Sequence, residues 1–147
     1  TLHTNDSVSS ITRLMDMGIP SYLVGSTVVG VVAQRLVRRL CPDCKVEYEP
    51  GPEEKMFLDI NEDDTIYKAG DTQCDTCNST GYNGRLAVQE VFVVDEKVEE
   101  MVTNSATEAE LKKYAVEEMG MITLTDDGKE KVKEGLTSYQ EIARLII

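Results

Sequence analysis

The chain contains no tryptophan, two phenylalanines and one histidine in 147 residues. A core must therefore be mainly aliphatic, and a Ser-His-Asp triad could draw only on His3. Four cysteines are too few for a small disulfide-dense scaffold. Basic residues are also scarce: 15 Lys and Arg stand against 27 Asp and Glu, for a net charge of −12. That balance excludes a generic nucleic-acid binder, because neutralising phosphates needs a cationic surface. There is no G-x-S-x-G and no H-E-x-x-H. Gly25 to Gly30 has the spacing of a phosphate loop, but Val31 and Val32 follow where Lys-Ser/Thr is required. Those glycines read as points of close helix packing. Met17 to Gln34 carries no charge, yet Gly18, Pro20, Gly25 and Gly30 interrupt it. It falls short of the roughly 20 predominantly apolar residues that a membrane span needs.

What remains is a composition 41% apolar and 29% charged, which excludes a disordered tail or a collagen-like fibre. The length suits about one domain. Charge is unevenly spread. Residues 1–45 hold five basic and three acidic side chains, so they carry +2 and residues 46–147 carry −14. Such a shift often marks a module boundary or a buried interface. The sequence starts at Thr1 in an already ordered pattern, and we expect a piece of a longer protein.

Periodicity and capping residues predict the element order. Asn5 or Asp6 caps a helix to about Met17, with Val8, Ile11, Leu14 and Met15 at helical spacing and Gly18 at its end. Pro20 opens a second helix to about Val29. Val31 to Leu40 reads as a strand. Cys41 to Gly84 reads as loop, with a short acidic helix at Glu53–Leu58. Leu86 to Val94 is apolar on both faces, which predicts a buried strand. Helices follow: one capped by Asp95, one opened by the Thr107/Glu110 capping box, one to about Glu134, and one from Ser138/Glu141 to Ile147. Gly120 and Gly128 read as punctuation. The two strands flank the cysteine-bearing stretch, so the simplest geometry is a hairpin whose turn is replaced by a small module.

Cys41-Pro42-Asp43-Cys44 and Cys74-Asp75-Thr76-Cys77 form two C-x2-C units. Each unit turns two sulfurs to one side of a tight loop, and two units can surround a tetrahedral ion. The module has too few apolar residues for a core of its own, and a metal supplies cohesion because its binding free energy becomes folding free energy. Two disulfides in any of three pairings, or free buried thiols, are the alternatives. With four thiolates and no open position, the pattern reads as a closed structural site. Zinc is favoured over iron, because rubredoxin-type knuckles usually carry Gly after the second Cys, where Lys45 and Asn78 stand here. Arg38, Arg39 and Lys45 could offset the −2 charge of a zinc tetrathiolate, or face an anion.

Taken in order, the motifs form a longer signature. Thr1-Leu2-His3-Thr4-Asn5-Asp6 precedes an Ile-Thr-Arg-Leu helix. Val31-Val32-Ala33-Gln34-Arg35-Leu36-Val37-Arg38-Arg39-Leu40 leads into the first knuckle. Gly81-Tyr82-x-Gly84-Arg85 follows the second, and Gly120-Met121-Ile122-Thr123-Leu124 with Asp127-Gly128 precedes the last helices. This series closely resembles the C-terminal part of the secretion ATPases of type II secretion and type IV pilus assembly (GspE/PilB type), over essentially the whole chain.

The resemblance implies an α/β fold: the C-terminal portion of a RecA-like P-loop ATPase domain with an inserted tetracysteine zinc module and a C-terminal helical bundle. Residues 1–40 would be core, 41–84 the zinc module, 85–94 a returning core strand and 95–147 a helical subdomain. It implies a hexameric parent that binds ATP and Mg²⁺. The parent would work at the cytoplasmic face of the inner membrane with a membrane platform protein. His3 would lie in a histidine box near the γ-phosphate, and Arg85 would contact nucleotide or a neighbouring subunit. Arg85 reads equally well as a strand-start residue closing the Gly-rich turn. Cys41, Cys44, Cys74 and Cys77 would be the zinc ligands. Walker A, the aspartate box and Walker B would all precede Thr1, so this chain alone is expected not to hydrolyse ATP. A non-enzymatic zinc-ribbon interaction module is the alternative, and a small iron electron-transfer domain is a third reading.

Overall fold

Helix starts are set by side chains that accept from the unpaired amides of the first turn. In the computed structural model, which describes residues 2, 4–70 and 73–146, Asp6 Oδ1 accepts from Ser9 N–H at 2.8 Å and begins α1 (Val8–Asp16). Gly18, at φ +91°, ends that helix, and its N–H returns to the Met15 carbonyl. Pro20 precedes α2 (Ser21–Thr27), shorter at its end than the pattern suggested. β1 (Gly30–Leu40) leads into the first knuckle. The stretch read as loop holds two short strands, β2 (Val46–Tyr48) and β3 (Ile66–Lys68), on either side of α3 (Pro52–Leu58). They pair antiparallel, with Glu47 opposite Tyr67. β4 (Tyr82–Val93) follows the second knuckle. Then come α4 (Glu96–Thr103), α5 (Glu108–Glu117), α6 (Leu124–Lys133) and α7 (Tyr139–Ile146).

β1 and β4 share one two-stranded sheet, as the hairpin expectation requires. Val94 N–H bonds the Val29 carbonyl at one end and Cys41 N–H the Gly81 carbonyl at the other, so the strands run in opposite directions. The prediction that β4 is buried on both faces fails. Val88, Glu90 and Phe92 are buried, while Val91 and Val93 are each 51% exposed. Residues alternate across a strand, so the odd positions face away from the core.

The chain forms two compact units. The first comprises 1–34 and 89–124, the second 35–88 and 125–147. In the first unit, Val8, Ile11, Phe92, Val98, Val102 and Leu111 build an aliphatic core around one aromatic ring. Gly25 lies against α4, where an added Cβ would stand 3.1 Å from the Glu99 carbonyl oxygen, so the close-packing reading of this glycine holds. Asp95 caps α4 by accepting from Val98 N–H at 2.8 Å. The Thr107/Glu110 box is reciprocal.

In the second unit, the Ser138/Glu141 pair does not form a box. The Ser138 hydroxyl pairs with Tyr82 Oη at 2.9 Å, and Glu141 binds Arg38. Gly128 lies inside α6 and not between helices, because Ile142 of α7 occupies the space that a Cβ would take. The helices after Asp95 thus fall in both units, α4 and α5 in the first, α6 and α7 in the second, apart from the opening Leu124. Among the described residues no helix is long and apolar enough to cross a membrane.

Candidate metal centre

Each knuckle is shaped by its own backbone. Leaving β1, the chain turns at Pro42-Asp43, and Lys45 N–H returns to the Cys41 carbonyl at 3.0 Å. In the second knuckle Ser79 N–H bonds the Cys74 carbonyl at 2.9 Å. Asn78 and Ser79 both take the left-handed conformation, at φ +50° and +59°. Asn tolerates that region better than most residues, so the glycine usual after such a knuckle is dispensable here. The knuckles are tied across by the Thr76 hydroxyl, which donates to Asp43 Oδ2 at 2.6 Å.

The four sulfurs of Cys41, Cys44, Cys74 and Cys77 all lie within 4.8 Å of one another. Cys41 and Cys74 are 3.9 Å apart and Cys44 and Cys77 3.7 Å. A zinc–sulfur bond of about 2.3 Å sets tetrahedron edges of about 3.8 Å, so these separations suit the ion. They are far from the ~2.05 Å of a disulfide, and all four cysteines are free. Among the described residues no His and no carboxylate joins the cluster. Its geometry therefore favours a metal over the disulfide alternatives.

Electrostatics point the same way. Burial, reinforced by the neighbouring sulfurs, pushes the Cys44 thiol up to about 12. Burial also raises Cys41. Burial pushes against Cys77 ionising too, but the Gly81 N–H, 3.3 Å from its sulfur, and bonds from the other three cysteines bring it down to about 7. Four thiolates at this spacing repel, and a divalent cation supplies the missing counter-charge.

Two glycines close the site in a way that spacing alone did not reveal. A Cβ on Gly70 would collide with the Cys44 carbonyl, and one on Gly81 would come within 2.5 Å of Ala69. Two of the three basic residues named as offsetting the thiolates have partners of their own. The Arg38 guanidinium meets Glu141 at 2.7 Å and stacks 4.0 Å over the Tyr82 ring. Lys45 Nζ donates to the Gly135 carbonyl and lies over Tyr67. Arg39 is exposed.

Of the other expected site residues, Arg85 is described and is not among these four ligands. Arg85 lies on β4 and is exposed. His3 lies outside the described residues. One buried polar group went unnoticed in the sequence: Glu90, 1% exposed, on the core-facing side of β4. Its alternation with Val88 and Phe92 was the available signal.

The family model described as "Type II/IV secretion system protein" matches residues 1–144. The type II secretion system ATPase E of Vibrio cholerae is 40% identical over 145 residues, covering 99% of this chain and 28% of that protein. The type IV pilus assembly ATPase PilB of Thermus thermophilus is 39% identical over 146 residues, covering 97% of this chain and 16% of its own length. The type II secretion system protein HxcR of Pseudomonas aeruginosa is 39% identical, with 27% of it covered. The chain thus spans about a quarter or less of these relatives. With a mixed α/β architecture, a four-cysteine cluster and a match running from residue 1 to 144, the chain belongs to the type II/IV secretion system protein family.

Proposed function

We propose that this chain is the C-terminal part of a hexameric motor ATPase that powers type II secretion or type IV pilus assembly. The observation that carries the reading is the match of nearly the whole chain to a type II secretion ATPase and a type IV pilus ATPase, with the chain covering only 28% and 16% of their lengths. In this reading residues 1–40 and 85–94 belong to a RecA-like core, 41–84 is the zinc module and 95–147 a helical subdomain. His3 serves as a γ-phosphate sensor, and Arg85 contacts nucleotide or a neighbouring subunit. ATP and Mg²⁺ bind the longer polypeptide, a reading supported by the lack of a G-x4-G-K-Ser/Thr phosphate loop in this sequence. The chain alone is inactive as an ATPase. The motor acts at the cytoplasmic face of the inner membrane against a platform protein, and nucleic acid is not a partner.

Cys41, Cys44, Cys74 and Cys77 would hold zinc as a closed structural site. When bound, the ion supplies cohesion to a module that has little apolar core, and no catalytic water. The surrounding residues shape the site: Asp43 and Thr76 join the knuckles, and Gly81 N–H supports the Cys77 thiolate.

The test is His3→Ala in the full-length ATPase, with ATP turnover as readout. A fall of about 10²-fold or more is expected for loss of a group acting on transition-state charge. Unchanged turnover removes the assigned role and favours the zinc-ribbon interaction module. Hydrolysis above background by the isolated 147-residue chain would contradict the proposed inactivity.

A further inference from the structure

Glu90 is the most deeply buried carboxylate among the described residues, 1% exposed between Val88 and Phe92. An ionised carboxylate in such a place is costly unless its oxygens are hydrogen-bonded. Both are. Oε1 accepts from the Ser7 backbone N–H at 2.9 Å and from the Ser7 hydroxyl. Oε2 accepts from the Leu124 backbone N–H at 3.2 Å. Ser7 immediately precedes α1 and Leu124 opens α6. Helix starts carry unpaired amides, so one buried carboxyl group satisfies two of them.

The consequence falls on the segment before α1. Ser7 is fixed by Glu90. Asp6 is fixed by Lys112 of α5 at 2.6 Å. Thr4 Oγ1 pairs with Ser10 Oγ at 2.8 Å. Two of these three anchors come from residues more than 80 positions away in sequence. A bare helix cap would need neither the buried strand carboxylate nor the lysine, because Asp6 already caps α1 through Ser9.

We infer that Glu90 is a positioning residue: it fixes the backbone of residues 4–7, which directly follow His3 in sequence. The inference rests on the reading of His3 given above. Glu90 acts through Ser7 and touches no reacting group.

The experiment compares Glu90→Gln and Ser7→Ala in the full-length ATPase, each alone and combined with His3→Ala. The glutamine keeps one acceptor oxygen but turns an NH₂ toward one of the former donors. Glu90→Gln is expected to lower kcat about tenfold or more, with KM for ATP within about twofold, because a small misplacement near the chemistry costs rate more than binding. Ser7→Ala keeps both backbone donors and is expected to lose about threefold. In the His3→Ala background neither should lower kcat further, since residues acting as a unit are not additive. An equal loss in that background overturns the inference and leaves Glu90 a purely structural residue. Unchanged kcat in both single variants overturns it as well. Should Glu90→Gln fail to fold, Ser7→Ala carries the same comparison. Amide exchange of the zinc-loaded 147-residue chain separates this from the His3 reading. Glu90→Gln should speed exchange in the first turn of α1 by about tenfold and leave α4 unchanged. Unchanged exchange there removes the anchor even if His3 proves essential. Altered exchange with a silent His3→Ala keeps the anchor and removes only the sensor role.

Discussion

The Lys45 ammonium donates to the carbonyl of Gly135, 90 residues away, at 2.9 Å. Lys45 is the residue after the first knuckle, and Gly135 lies in the turn between α6 and α7. The same turn is held by two more bonds: Leu40 N–H to the Leu136 carbonyl, and the Thr137 hydroxyl to the Arg38 carbonyl. The knuckle and the helical turn are thus one structural neighbourhood within the second unit. Chelating the metal should therefore disorder more than residues 41–84. We expect about one zinc per chain by elemental analysis and a colourless protein. After chelation, amide protection should fall at Leu136 and Thr137 as well as at Lys45 and Gly81. Loss confined to the knuckles would show that the α6–α7 turn stands without them.

Gly70 tests how tightly the module closes on the site. A Cβ there would run into the backbone carbonyl of Cys44, which cannot rotate away as a side-chain tip could. Overpacking of this kind costs about 1–3 kcal/mol, and more where backbone must shift. Gly70→Ala is expected to weaken zinc retention in a competition assay with a chromogenic chelator and to lower the midpoint of thermal unfolding. Wild-type zinc affinity in the variant would mean that the loop can open without disturbing the first knuckle.

Arg38 and Glu141 give a pH-dependent term. Burial pushes the Glu141 carboxyl up, but the Arg38 guanidinium at 2.7 Å, the Arg38 N–H at 3.0 Å and Arg144 hold it below its ordinary value. A depressed carboxylate stabilises the fold above its unfolded pKa of about 4.3, and that contribution is lost as pH falls through the lower folded value. Glu141→Gln should cost about 1 kcal/mol near neutral pH, since the Arg38 donors lose a charged acceptor but the guanidinium stays partly solvated. Between about pH 5 and pH 3 its stability should fall less steeply than that of the wild type. Denaturant unfolding of both proteins across this range measures the difference, and thiolate protonation, common to both, cancels. Parallel curves would assign the acid sensitivity to other groups.

How far the sequence revealed this arrangement depends on whether the cause is local. The knuckles were legible because C-x2-C spacing is itself the geometry. The Asp95 and Thr107 caps were legible because a cap and its donors lie within three residues. β2 and β3 were not, since three-residue strands leave no period to read and their pairing partners lie about 20 residues apart. Ser138 and Glu141 carried the local signature of a capping box, but Tyr82 and Arg38 provide competing partners that no local pattern contains. Glu90 is the same case. Its face was readable from the alternation, whereas the partners that make its burial tolerable, Ser7 and Leu124, are distant in sequence.

Gly128 sets local and tertiary effects in direct opposition. It sits within α6, where alanine would favour the helix by about 1 kcal/mol. A Cβ there would lie 2.9 Å from Ile142 Cγ2 and 3.1 Å from its Cδ1. Ile142 is fully buried, so its side chain has little room to withdraw. Overpacking at about 1–3 kcal/mol then outweighs the propensity gain, and Gly128→Ala is expected to destabilise by up to about 2 kcal/mol. Pairing it with Ile142→Val removes the Cδ1 methyl but keeps the branched Cγ2, so recovery should be partial. Ile142→Ala removes both contacting methyls. Combined with Gly128→Ala it should cost less than Ile142→Ala alone, a coupling that a double-mutant cycle reads directly. Strict additivity of the two changes would mean that α6 and α7 separate slightly to admit the methyl, and that the glycine is there for a reason other than packing.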